Sequence, residues 1–166
     1  AVHELIAAPL GAKGLALYAQ HVDPLEVGAL VDIFRDDPRV LVCNTYQDPY
    51  YPGWVSDPLR RHIVDAPLKE GDGGAEFRAA VDSRWAPAIE AFQPQLILVS
   101  AGFDAHGSDP LAGLNLVYAD YAWIARRIRA WADRYAEGRV VATLEGGYDV
   151  HALARCVEEF VRAAAF

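Results

Sequence analysis

The sequence predicts an α/β fold, a mostly parallel sheet flanked by helices, on three observations. Short apolar runs alternate with longer segments whose apolar residues recur every three or four positions, the pattern of strands joined by crossover helices. The apolar runs end on residues suited to the carboxyl edge of such a sheet, Asp104 after one and Gly146-Gly147 after another. The length of 166 residues fits a single domain, 1–166, with nothing that reads as an interdomain linker.

The strands are expected at Gly14 to Ala19, Arg39 to Asn44, His62 to Ala66, Gln95 to Ser100 and Arg139 to Leu144. Phe77, Val81, Trp85, Ile89 and Phe92 mark one face of a helix from about Ala75 to Phe92, which Pro87 should kink. Tyr121, Ile124, Ala125, Ile128, Ala132 and Tyr135 mark a second helix, with Arg126, Arg127, Arg129 and Asp133 largely on its solvated side. A last helix carries Leu153, Cys156, Val157, Phe160 and Val161, with Asp149 as its cap. Leu25 to Phe34 has a weaker helical period. Thr45 to Leu59 holds Pro49, Pro52, Gly53 and Pro58 among Tyr46, Tyr50, Tyr51 and Trp54, and reads as a long ordered loop whose rings line a groove or cover the sheet edge.

Composition narrows the function classes. A hydrophobic content of 53% excludes disorder, yet no apolar run reaches the roughly 20 residues of a membrane span. A net charge of -8 repels phosphate backbones, so no nucleic-acid or membrane partner is expected. Cys43 and Cys156 are too few and too far apart for a disulfide framework or a thiolate metal cluster and read as small core residues. Ala1 to Leu10 has no secretion-signal pattern, and a cytoplasmic location is expected by default.

The chemistry-bearing residues sit where parallel strands end. Asp104 follows the apolar run Leu96 to Val99, which places a carboxylate at a rigid, partly dry position, with Gly102 leaving room nearby. A carboxylate is a hard metal ligand, the phenol of Tyr148 can donate to a developing oxyanion, and Gly146 and Gly147 let a substrate or backbone approach closely. Metal-assisted hydrolysis of a carbonyl would use all three. The simpler readings are a turn-capping Asp104, a packed Tyr148 and a turn-forming Asp109 before Pro110. No Gly-x-Ser-x-Gly elbow occurs, which disfavours serine-hydrolase chemistry.

At these residues the chain resembles the zinc-dependent histone deacetylase and acetylpolyamine amidohydrolase family, in the C-terminal half of its domain and of the arginase/deacetylase fold. The resemblance is carried by Asp32-Ile33-Phe34 with Asp36 to Leu41, Pro49-Tyr50-Tyr51-Pro52-Gly53, Leu96 to His106 with Asp109-Pro110-Leu111, and Leu144 to Tyr148. It implies zinc as cofactor and hydrolysis of an acetylated amine, acetyl-lysine or acetylpolyamine, to acetate and free amine. It implies Asp104 and Asp23 as zinc ligands and Tyr148 as the catalytic residue polarising the acetyl carbonyl. It implies Gly146, Gly147 and Tyr51 as substrate-binding neighbours of the acyl tunnel.

The sequence also departs from that pattern. Counted back from Asp32 without a gap, the family's aspartate, any residue, histidine, histidine, glycine run falls on Asp23-Pro24-Leu25-Glu26-Val27. Leu25 stands at the imidazole position and has no lone pair to give, leaving two protein ligands where catalytic zinc typically has three, an incomplete zinc site. The family's base histidines are an adjacent pair, and His3, His21, His62, His106 and His151 include no such pair. His21 and His106 lie two residues from Asp23 and Asp104, where alternation can bring an imidazole to the same face; a surface His21 and a hydrogen-bonded loop His106 are the simpler readings. The resemblance omits the N-terminal half of the family domain, so an uncovered sheet face is expected, with a homo-oligomer or partner chain over it. The alternative to hydrolysis is a truncated, catalytically silent relative acting as an interaction or ligand-binding module.

Overall fold

The computed structural model describes residues 14–21, 31–49 and 61–165. They form a five-stranded sheet of β1 (Gly14–His21), β2 (Val40–Gln47), β3 (Ile63–Leu68), β4 (Leu96–Ala101) and β5 (Val140–Leu144), in the order β3-β2-β1-β4-β5. Every pairing is parallel, so the carboxyl ends of all five strands share one edge. The predicted strand positions agree to within a residue or so at most ends. The main difference is at Thr45, where the expected loop does not begin. β2 continues to Gln47 because Val42 to Gln47 stay in register with Ile63 to Leu68 of β3. Proline-rich residues 50–60, including Tyr51 and Trp54, lie outside the described residues, as do Leu25 to Leu30 of the weaker helix; residues 31–34 are helical.

The helices are α1 (Gly74–Ala80), a π-helical turn (Val81–Trp85), α2 (Ala86–Phe92), α3 (Tyr118–Tyr135) and α4 (Val150–Ala164). The single helix expected from Ala75 to Phe92 is therefore interrupted just before Pro87. There the Ala86 N–H bonds to the Val81 carbonyl, five residues back. A proline ring crowds the carbonyl four residues before it, and a wider turn relieves that clash. Asp149 caps α4 as expected, its carboxylate accepting from Ala152 N at 2.7 Å.

Alternation along the strands divides the sheet into two faces. Leu41 and Cys43 of β2 and Ile97, Val99 and Ala101 of β4 join one large core with Phe77, Val81, Trp85 and Ile89 and with Tyr121, Ile124, Ile128 and Phe160. The Trp85 ring is fully buried, and its N–H reaches the Asn44 carbonyl at 3.3 Å. Val40 and Val42 face the other way, onto Phe34 and Ile63. At the opposite end of the sheet β5 is barely covered, with Val141 52% and Leu144 56% exposed. On α3, Arg126 is exposed as predicted, and Arg127 pairs with Asp82 while lying over the Trp131 ring.

Candidate functional site

The loops leaving β4 and β5 are joined by backbone hydrogen bonds. Glu145 N donates to the Ala101 carbonyl at 3.0 Å and Phe103 N donates to the Gly146 carbonyl at 2.9 Å. This pairing brings Asp104 and the Gly146-Gly147-Tyr148 segment to one place. Neighbouring parallel strands separated in sequence by a helix are what allow it.

Asp104 is buried, only 1% exposed. Gly146 packs so closely on it that a Cβ there would stand 2.3 Å from Oδ2 and 2.8 Å from Cγ. Absence of a side chain at 146 is thus a condition for the carboxylate's position. Gly147 has φ +134°, a conformation that favours glycine, and a Cβ would stand 2.9 Å from Leu153 Cδ1. Tyr148 follows at the rim and is 54% exposed.

Two further residues, not singled out as site residues by sequence, shape this place. Asp109 forms the expected turn, Oδ1 accepting from Leu111 N at 3.0 Å, but its Oδ2 also accepts from Tyr148 N at 2.7 Å. A contact between residues 39 apart leaves no local sequence signal. Tyr121 lies beneath, its hydroxyl donating to the Phe103 carbonyl at 3.2 Å. Burial, with Cys156, Asp104, Asp109 and Asp120 adding smaller effects, holds that phenol well above its ordinary range and therefore protonated.

His106 is occupied within its loop, as its simpler reading had it. Nδ1 accepts from Ser108 N at 3.1 Å, and the ring stacks on Tyr118 with centroids 4.5 Å apart. Of the other residues named from the sequence, Asp23, Leu25 and Tyr51 lie outside the described residues, and β1 is described as far as His21.

Residues 29–164 match the histone deacetylase domain. The chain belongs to the histone deacetylase family. It is 38% identical over 125 residues to a probable deacetylase of Archaeoglobus fulgidus, an alignment covering 72% of this chain and 35% of that protein. It is 37% identical over 121 residues to a histone deacetylase-like amidohydrolase of Pseudomonas aeruginosa, covering 69% and 31%. Its alignments thus span about a third of these relatives' length. The fold matches the crystal structure of the HDA15 HD domain with a TM-score of 0.83 at 23% identity, over 97% of this chain and 46% of that one.

The family generally uses zinc, and the donors present can be tested against it. A catalytic zinc site typically needs three protein ligands. Among the described residues no group of three or more His, Cys, Asp or Glu could hold a metal ion. Asp104, buried at the end of β4, suits a ligand position, but the described residues bring no set of three donors to it, so they do not by themselves make a zinc site. What the described residues supply is a buried carboxylate, two glycines packed closely on it and on Leu153, and a rim phenol.

Proposed function

We propose that this chain's site takes up an acetylated amine, acetyl-lysine or acetylpolyamine, and directs its amide carbonyl to Tyr148 for hydrolysis to acetate and free amine. The observation that carries the reading is the joining of the β4 and β5 loops, which puts Asp104 and Tyr148 on one hydrogen-bonded cluster at the sheet's carboxyl edge. Family membership supports the substrate class. In this reading the Tyr148 hydroxyl donates to the acyl oxygen as negative charge develops on it, and Gly146 and Gly147 let the segment that carries Tyr148 pack closely on Asp104 and Leu153. No water-activating step is assigned to these residues.

A second reading, binding without hydrolysis, is favoured by Leu25, which has no lone pair to offer a metal. One assay separates the two: titration with an Nε-acetyl-lysine peptide, followed by detection of acetate. Acetate release that falls about 10²-fold or more in Tyr148→Phe supports hydrolysis. Acetyl-dependent binding with no acetate, and no zinc retained by the parent over Asp104→Ala, supports the silent module. A parent that neither binds nor hydrolyses the peptide overturns both.

We also propose that the β5 side of the sheet, where Val141, Leu144 and Val161 are exposed, is covered by a second copy or a partner chain. A strictly monomeric mass in light scattering of the purified chain would contradict the homo-oligomer.

A further inference from the structure

Resting on the reading of Tyr148 as the group that meets the acyl oxygen, we propose that Asp109 is the positioning residue for it. Asp109 is buried, and all of its assigned acceptor bonds go to backbone N–H groups: Leu111 on one oxygen, and Tyr148 at 2.7 Å and Asp149 at 3.4 Å on the other. Its own N–H donates to the His106 carbonyl at 2.8 Å, which fixes the carboxylate to the turn that follows Asp104. The same short stretch of chain that carries Asp104 therefore also holds Tyr148. One side of the 146–148 segment is tied by Phe103 N to Gly146 O, the other by Asp109 to Tyr148 N, so the Cα of Tyr148 is set relative to Asp104 from both flanks.

The chemistry of the contact suits a fixed position. Charge-assisted bonds from a carboxylate to backbone N–H groups are stronger than neutral ones, and a buried acceptor that loses a donor bears a desolvation cost. Tyr148 and Asp149 also lead directly into α4, whose N-terminal end carries partial positive charge that a carboxylate complements. Asparagine does not substitute. It has one acceptor oxygen, so either Leu111 or the Tyr148–Asp149 pair would face an amide NH₂ group.

The test uses the whole 166-residue chain and two readouts, hydrogen exchange of the Tyr148 and Asp149 amides and affinity for an Nε-acetyl-lysine peptide. Asp109→Asn and Asp109→Ala are compared with Asp72→Asn, whose carboxylate makes a similar bond to Lys69 N at 2.7 Å in a separate turn. The expected result is exchange at Tyr148 faster by about tenfold or more, with α3 core amides at the parent rate, and a peptide affinity weakened by a similar factor. Asp72→Asn leaves both readouts at the parent value. Should Asp109→Ala fail to fold, Asp109→Ser carries the test, because its single short hydroxyl cannot serve both Leu111 N and Tyr148 N. Parent-rate exchange and parent affinity in the Asp109 variants, or acceleration shared equally by α3, would overturn the proposal. A parent that binds no acetylated peptide overturns the proposed function instead, and the exchange rates still decide whether Asp109 holds Tyr148.

Discussion

Gly146→Ala is the sharpest probe of how Asp104 is held. The new Cβ would stand 2.3 Å from Asp104 Oδ2 and 2.8 Å from Cγ, where comfortable contact needs about 3.5 Å, so the carboxylate or the loop must move by about 1 Å. Asp104 is buried. Overpacking of this kind costs about 1–3 kcal/mol, and loss of the Phe103 N to Gly146 O bond adds about 1 kcal/mol, giving a total of about 2–4 kcal/mol. At this chain length that lowers the melting temperature by on the order of 10 °C. Gly146 does not have the left-handed φ of Gly147, so without a clash an alanine would stabilise by about 0.4–1 kcal/mol through the unfolded chain. The sign of the change is therefore diagnostic. Circular-dichroism melts of Gly146→Ala in the parent and in Asp104→Ala isolate the contact, because the second background removes the atoms that clash while the unfolded-state effect cancels. Destabilisation in the parent that is relieved by at least about 1 kcal/mol in Asp104→Ala is expected. Equal effects in both backgrounds, or stabilisation in the parent, would refute this packing.

Two other outcomes follow from buried groups away from the site. Burial raises the Asp65 carboxyl above its ordinary 3.8, only partly offset by the amide of Asn44 at 3.1 Å and the charge of Arg84. The folded state then binds the proton more tightly than the unfolded one, so this contribution to stability is full below about pH 3.8 and is lost as pH rises through the raised value. Urea midpoints of Asp65→Asn, which keeps an acceptor for Asn44, should show less of that decline, and parallel pH profiles for parent and variant would count against it. The two thiols should be inert in the native state: burial raises Cys43 far above its ordinary range and pushes Cys156 up to about 12, so a disulfide reagent at pH 8 should modify them at the rate of unfolding. Rapid labelling of folded protein would contradict the buried placement.

Local periodicity carried the strands and the long helices because the apolar pattern reports burial directly, and parallel pairing adds little that changes it. The π-helical turn also had a signal in the sequence. Phe77, Val81, Trp85 and Ile89 are each four apart, and four α-helical residues turn about 40° too far per step, a drift that a wider turn absorbs to keep all four in the core. The end of β2 was harder to read, since Thr45 and Gln47 are polar yet buried, held by pairing with β3 and, for Gln47, by its side-chain oxygen accepting from Gly113 N at 2.8 Å. At the candidate site, Asp104, Gly146, Gly147 and Tyr148 could be named because each stands at a strand end in a recognisable run. The roles of Asp109 and Tyr121 depend on partners that are distant in sequence, and no local pattern announces them.

The reading of the site as a receptor for acetylated amines is tested most directly by isothermal titration of the chain with matched acetylated and unacetylated lysine peptides, in the parent and in Tyr148→Phe. Binding should require the acetyl group and weaken about tenfold when the phenol hydroxyl is removed, as for a lost hydrogen bond to the acyl oxygen. Equal affinity for the two peptides, or acetyl-dependent binding that Tyr148→Phe leaves unchanged, would contradict it.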